Sequence, residues 1–305
     1  MGSAGLLLFA LVLDAIFGDP RSIWDRFPHP VVLAGRLIDW ADDVYNHGAR
    51  SRVHGVLLIV VVALLLILFG LILSAIPDFG LLEVLIISVL LAQKGLVQHA
   101  FLVACGLRVN LEQGRKGVAE IVGRDVSEMD ESDVVRATIE SLAENFSDAV
   151  IAPAFWYLIA GLPGLLVYKF VNTADSMIGH RTARHSQFGW AAARLDDVLN
   201  WIPARLTGLL IALAHGTPAA LAVMLTEARQ HRSPNAGWPE SAMAVVLGIA
   251  LSGPRSYGGE ATDDPFTNGA GRQTLTVADI DAAINACWRS FAAFCLLVCL
   301  LPLVF

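Results

Sequence analysis

The chain has 305 residues, 55% of them hydrophobic and only 16% charged, against ~45–50% apolar content in ordinary soluble domains. Its net charge of −7 argues against nucleic acid as a partner. The four cysteines, Cys105, Cys287, Cys295 and Cys299, lack the spacing of a zinc site, and three of them fall in the last apolar segment, where Cys behaves as a small hydrophobe.

The first apolar run, Leu6 to Phe17, reads as a short helix stopped by Gly18-Asp19-Pro20. It has no Lys or Arg ahead of it, carries Asp14 and offers no small-residue cleavage site, so it is expected to be retained rather than removed as a signal peptide. Residues 18–54 form a polar segment with PHPV at Pro28 to Val31. Gly55 to Ile76 is 22 residues without a charge, long enough to cross a bilayer. A turn at Pro77-Asp78-Phe79-Gly80 leads into a return helix over 81–103, in which Lys94 and His99 must face protein or the membrane surface. Residues 104–148 look helical and soluble, with Asp130 and Asp133 as a capping pair for a helix over 131–149. Pro153 is expected to break that pattern. Two short apolar pieces, 154–160 and 165–171, follow across Gly161-Leu162-Pro163-Gly164. A further apolar segment, 206–225, is interrupted at His215 to Pro218. Residues 226–285 are polar again, with the Gly-, Asn- and Asp-rich tract 261–272 expected to be a mobile loop. Ala286 to Phe305 is a second long apolar run, with Arg289 near its start.

Basic residues fix a topology. Five Lys or Arg fall in each of 18–54, 104–148, 169–205 and 226–289, and the turn at 77–80 has none. The positive-inside rule then places every basic block in the cytoplasm and that turn outside. The apolar segments 154–171 and 206–225 each lie between two such blocks, so they are expected to be re-entrant or half-buried, broken at their Gly- and Pro-containing centres. The fold expected is all-α: one membrane-embedded domain over 1–305, with about four to six transmembrane or re-entrant helices. The polar segments 18–54, 104–148, 172–205 and 226–285 are expected on the cytoplasmic side.

The densest polar chemistry lies between Glu140 and Arg205, against apolar sequence on both sides. Lys169, Asn172, Asp175, Ser176 and Gly179 recur at helical spacing, as do Arg194, Asp197, Trp201 and Arg205. Capping and mutual pairing would account for any one of these residues. They do not account for a whole set of carboxylates, amides and bases next to lipid-like sequence. No phosphate-binding loop, dinucleotide fingerprint, HExxH or nucleophile elbow is present. The acid and amide clusters Glu144 to Asp148, Asn172 to Ser176 and Arg194 to Asp197 offer the oxygen ligands that suit Mg²⁺, with Lys169, Arg194 and Arg205 as phosphate contacts. That pattern points to metal-assisted phosphate chemistry at a membrane surface. A transporter fits the broken apolar segments as well.

At these blocks the chain resembles the CobD/CbiB family, the adenosylcobinamide-phosphate synthases of cobalamin biosynthesis. The likeness covers nearly the whole length. It runs through LDAIFGDP (Leu13 to Pro20), PHPV, GRDVSEMDESDVVRATIESLAEN (Gly123 to Asn145), DAVIAP (Asp148 to Pro153) and YKFVNTADSMIGH (Tyr168 to His180). It continues through FGWAAARLDDVLNWIPARL (Phe188 to Leu206), SPNAGWPE (Ser233 to Glu240) and YGGE (Tyr257 to Glu260). Phe146 departs from the family's small polar residue in ENxSD, His180 from its Tyr after SMxG, and Lys94 from its Arg.

The resemblance implies a multi-pass bacterial inner-membrane enzyme with its active site facing the cytoplasm. Its reaction would be ATP-dependent amide ligation, joining adenosylcobyric acid to (R)-1-amino-2-propanol phosphate or a related amino alcohol. On that reading Asp175, Asp196 and Asp197 hold Mg²⁺ and the nucleotide. Lys169, Arg194 and Arg205 contact phosphates, and Glu144 or Asp148 takes the amine proton. Asn145, Asn172 and Ser176 orient substrate. Ser233, Asn235, Glu240 and His29 close a corrinoid pocket, with Trp190, Trp201 and Trp238 as an apolar wall. The alternatives at this level are a transporter or a corrinoid-binding membrane scaffold. The partners implied are the corrinoid, the amino alcohol phosphate, ATP and membrane lipid, with a homo-oligomer or other enzymes of the pathway left open.

Overall fold

A computed structural model describes residues 2–301 except 124, 181, 258, 259 and 263, and the backbone alone of residues 21, 255–257 and 260–262. The centre of the YGGE block, the side chains at its two ends, Arg124 and the last residues of the final apolar run, 302–305, lie outside the described residues. The chain is all-α apart from short two-stranded pairings, as expected for a polytopic membrane protein. The helices in order are α1 (Ser3–Phe17), α2 (Arg21–Trp24), α3 (Pro30–Tyr45), α4 (Ser51–Ser74), α5 (Leu81–Leu90), α6 (Gln93–Val109) and α7 (Leu111–Ala119). They continue as α8 (Glu131–Phe146), α9 (Ala152–Ile178), α10 (Trp190–Leu199), α11 (Trp201–Ala214), α12 (Ala219–Glu227), α13 (Gly237–Leu247) and α14 (Val277–Leu300).

Among the described residues four helical stretches are long and apolar enough to cross a membrane: Gly48–Ser74, Leu81–Val109, Glu131–Ile178 and Val277–Leu300. Counting α10 and α11 as one broken span makes five. α4 leaves most of its apolar side chains uncovered, Leu64 and Leu65 among them, which is stable only against lipid.

The described residues divide into two compact units: unit 1, within Met1–Ala92, Asp148–Asn200 and Val298–Phe305, and unit 2, within Gln93–Ser147 and Trp201–Leu297. Unit 1 is built on α9. Its apolar face, with Phe170, Val171, Ala174 and Ile178, meets Ile38 and Ala41 of α3, Ile59 of α4, and Phe188 and Ala192 at α10. Two glycines of α4 permit this approach. A Cβ on Gly70 would stand 2.8 Å from the Pro163 backbone, and one on Gly55 would run into the Phe188 carbonyl oxygen. The loop between α9 and α10 is tied to α3 by buried Asp42, which accepts from Asn46 Nδ2 (2.7 Å), Arg184 Nε (2.8 Å) and His185 Nε2 (3.3 Å).

In unit 2, α6 lies against α7 and α8, and α13 packs on α8, α11 and α12. Asp130 and Asp133 form the expected capping box at the start of α8. Buried Glu140 of α8 accepts the Ser252 amide at 2.6 Å, and this holds Ser252 at φ 57°, a left-handed conformation rare for a residue with a side chain. All four cysteines are free thiols.

Both anticipated helix breaks occur. α9 loses helical geometry at Ala160 and Gly161, where Gly161 takes φ 63° and ψ −158°, and Gly216 at φ 62° separates α11 from α12. Four other expectations fail for physical reasons. Pro153 does not interrupt the helical path. A π turn over Ser147–Ile151 joins α8 to α9, and the Ala149 carbonyl, denied its usual donor by the proline ring, accepts from the Ala92 amide at 3.2 Å. The return helix over 81–103 is two helices, because Leu91 turns extended at ψ 161°. Arg194 and Asp197 do not share one helix with Trp201 and Arg205, since the helical run breaks at Asn200. The described part of the tract 261–272 is a tethered turn: Asn268 Nδ2 donates to the Ala244 and Ile249 carbonyls, and its amide donates to Glu227.

Candidate active site

The polar face of α9 and the C-terminal end of α10 build one acid and amide centre in unit 1. Asp196 is 9% exposed, and both of its oxygens are engaged. Oδ1 accepts from Asn172 Nδ2 at 3.3 Å, and Oδ2 from Asn200 Nδ2 at 3.0 Å. Asn200, 1% exposed, is itself held: its backbone amide returns to the Asp196 carbonyl, and its Oδ1 lies 2.9 Å from the hydroxyl of buried Tyr168. That hydroxyl is also 2.9 Å from the Asp148 backbone carbonyl, so its one proton is shared between two acceptors. A hydrogen-bonded chain thus runs from the π turn through Tyr168 and Asn200 to Asp196. It fixes which lone pairs of the Asp196 carboxylate stay open.

Asp175 and Asp197 are the like charges acting on Asp196. The Asp175 carboxylate lies over Gly179, whose missing side chain is required there, since a Cβ would fall on Asp175 Oδ1. Arg194 pairs with Asp197 at 3.6 Å, one turn apart on α10. Ser176 is exposed, and its hydroxyl donates back to the Asn172 carbonyl at 2.9 Å. Lys169 lies in the field of Asp148, Asp19 and Asp14, the last a buried acid in the apolar α1. His29 caps α3 by accepting the Val31 amide on Nδ1 at 3.2 Å, which leaves its Nε2 proton for the Val89 carbonyl (3.2 Å) or Asp19 (3.5 Å).

Among the described residues no three or more His, Cys, Asp and Glu side chains form a cage that could hold a metal by themselves. Mg²⁺ does not demand one, because it usually takes one or two carboxylates and completes its shell with water and substrate phosphates. Asp196, oriented by two amides and accompanied by Asp175, has the donor chemistry for that arrangement.

Unit 2 carries the remaining candidates. The amide nitrogen of Asn145 is spent within α8, donating to the Ser141 carbonyl (2.9 Å) and hydroxyl (3.2 Å), which leaves Oδ1. Glu144, one residue earlier, is half-buried. Arg205 stacks on two indoles, its Cζ 4.3 Å from the Trp201 ring and 4.4 Å from the Trp238 ring. Its Nη1 donates to the Trp201 carbonyl (2.6 Å) and to Asn235 Oδ1 (3.3 Å). Ser233 Oγ accepts the amides of Asn235 and Ala236, both at 3.2 Å, so its oxygen shapes the turn into α13. Buried Glu240 stands 3.5 Å from His231 Nε2. Trp190 belongs to unit 1, where Arg52 lies over its ring at 3.9 Å.

Unit 1 therefore collects Asp148, Lys169, Asn172, Asp175, Ser176, Arg194, Asp196, Asp197 and His29. Unit 2 holds Glu144, Asn145, Arg205, Ser233, Asn235 and Glu240. Sequence reasoning missed Asn200 and Tyr168. Asn200 follows Asp196 by four residues, a spacing that puts both on one helical face and was available as a signal. Tyr168 sits in an apolar run with nothing in its surroundings to announce a partner.

The family model described as CobD/Cbib protein matches residues 7–287. Cobalamin biosynthesis protein CobD of Brucella suis biovar 1 (strain 1330) is 49% identical over 304 residues, covering 94% of this chain and 93% of that protein. The protein of the same name from Rhizobium meliloti (strain 1021) is 46% identical over 318 residues, covering 98% and 97%. The one from Sinorhizobium sp. is 50% identical over 296 residues, with 92% of each covered. No solved structure matches the chain. With a family model spanning most of its length and relatives near half identity along it, the chain belongs to the CobD/CbiB family.

Proposed function

We propose that this protein is an ATP-dependent amide ligase of cobalamin biosynthesis, joining the free propionate carboxyl of adenosylcobyric acid to the amine of (R)-1-amino-2-propanol phosphate or a related amino alcohol. The pathway follows the names of its relatives. The observation that carries the chemistry is the Asp196 centre: a buried carboxylate held by two amides, beside a second acid, on helices packed in apolar sequence. Such an arrangement is costly to build and suits a positively charged ligand.

A carboxylate is a poor electrophile, so one of its oxygens attacks the terminal phosphorus of ATP and ADP leaves, giving an acyl phosphate. The amine nitrogen then attacks the acyl carbon, phosphate leaves, and the amine proton passes to Glu144 or Asp148. Asp196 and Asp175 are the residues that would hold Mg²⁺, with Asp197 alongside, and bound Mg²⁺ supplies charge neutralisation at the phosphoryl oxygens. Lys169 and Arg194 contact nucleotide phosphates, and Arg205 takes a phosphate oxygen as well. Asn145, Asn172 and Ser176 orient substrate, and Ser233, Asn235, Glu240 and His29 line the corrinoid side. The site faces the cytoplasm of a bacterial inner membrane, where ATP is available.

The broken α9 is the feature a carrier would share. Purified protein in detergent separates the two readings. Amide product detected by mass spectrometry only when ATP, Mg²⁺, corrinoid acid and amino alcohol phosphate are all present supports the ligase. Saturable corrinoid uptake into proteoliposomes without nucleotide, and no amide product, would replace it with the carrier.

A further inference from the structure

Arg205 is a half-buried cation with no carboxylate partner among the described residues. Two indoles fix its plane and two carbonyl oxygens occupy Nη1, so Nε and Nη2 donate to nothing described. The turn after α12 packs on the start of α13, where a Cβ on Gly237 would run into the Ala228 carbonyl oxygen; it carries Arg229, exposed and without an ion-pair partner among the described residues, whose like charge acts on Arg205. On the edge of one stacked ring, Trp238 Nε1 is buried and has no acceptor among the described residues, in a residue only 7% exposed. A half-buried guanidinium held rigid, a second guanidinium near it and a buried N–H donor are a set of donors that an anion would complete. Arginine's planar fork is suited to phosphate oxygens, and stacking on aromatic faces lowers the entropy lost in aiming it.

We infer that Arg205, Arg229 and Trp238 of unit 2 form a binding site for the phosphate group of a soluble phosphomonoester. A dianionic head matches two guanidiniums, with the indole N–H as a further donor. Naming the amino alcohol phosphate as its occupant rests on the ligase reading; the anion site itself does not.

The test is direct binding to the full-length protein in neutral detergent, followed by tryptophan fluorescence. Inorganic phosphate and phosphoethanolamine should give saturable changes, and ethanolamine none. Arg229→Ala should weaken phosphoethanolamine at least about tenfold, the loss expected for a hydrogen bond to a charged group. Trp238→Phe keeps an aromatic face under Arg205 but removes the N–H donor and part of the stacking surface, and should weaken it by at least about fivefold. Equal affinities in wild type and both variants overturn the site. A response to phosphatidylglycerol in nanodiscs with none to soluble phosphate overturns the soluble occupant in favour of a lipid headgroup. Binding is read without turnover, so loss of the ligase reading leaves this result standing. Conversely, an active ligase whose KM for the amino alcohol phosphate is unmoved by Arg229→Ala removes that substrate from the site.

Discussion

Replacing Asn200 by alanine is the sharpest perturbation of the Asp196 centre that leaves every carboxylate in place. It deletes the 3.0 Å donor to Asp196 Oδ2 and the acceptor for the Tyr168 hydroxyl. Tyr168 keeps the Asp148 carbonyl, so the group left without its partner is the buried Asp196 oxygen. Leaving such a group unsatisfied costs about 1–3 kcal/mol, more when it is charged. Loss of a residue that orients a metal ligand typically weakens metal affinity about 10–100-fold. Tyr168→Phe is the control. It removes a buried hydroxyl at comparable cost to stability but leaves the Asn200 donor on Asp196. Thermal melting in detergent gives the stability loss of each variant, and titration with Mn²⁺ and a non-hydrolysable nucleotide, read by electron paramagnetic resonance, gives the metal affinity. Asn200→Ala should shift the Mn²⁺ midpoint at least about tenfold and Tyr168→Phe by less than about threefold. Equal shifts in the two variants, or no shift in Asn200→Ala, would refute the role given to the amide.

Three further outcomes follow from the packing and the charges. Gly55→Ala places a methyl against the Phe188 carbonyl oxygen and should destabilise the protein by about 1–3 kcal/mol, seen as a lower melting temperature in detergent. Gly161→Ala puts a side chain where φ is 63° and ψ −158°, a region open essentially to glycine alone; a loss of about 1–3 kcal/mol is expected, and an unchanged melting temperature would mean that the break in α9 is not needed. Burial raises the Asp42 carboxyl, but hydrogen bonds from Asn46, Arg184 and His185 outweigh it and hold the group below its ordinary range. Its folded value is therefore lower than its unfolded one, so its contribution is fully present above the unfolded value of about 3.9 and is lost as pH falls through the folded value below that. Melting temperature measured from pH 6 downwards should fall less steeply in Asp42→Asn than in wild type.

Much of the architecture was legible because it depends on local signals. The charge-free run in α4, the Asp130 and Asp133 cap, and the glycine breaks at 161 and 216 each follow from composition or from a single residue's conformational range. What escaped depends on distant partners. Nothing near Pro153 announces that the Ala92 amide will satisfy the Ala149 carbonyl and let the helix continue through a π turn. Leu91 turns extended inside an unbroken apolar run. The acids of the candidate site were readable as clusters of carboxylates and amides inside apolar sequence, whereas the Tyr168 hydroxyl that braces Asp196 through Asn200 points to an acceptor 32 residues away.

The central claim is that the Asp196 centre supports transfer of phosphate from ATP to a carboxyl group. The measurement that reaches it most directly is the stoichiometry of products in a complete reaction with the purified protein. One ADP and one phosphate per amide formed, abolished in Asp196→Asn while the protein still inserts and melts as a folded species, is the expected result. Amide formation at the wild-type rate in Asp196→Asn, or without any nucleotide consumed, would contradict it.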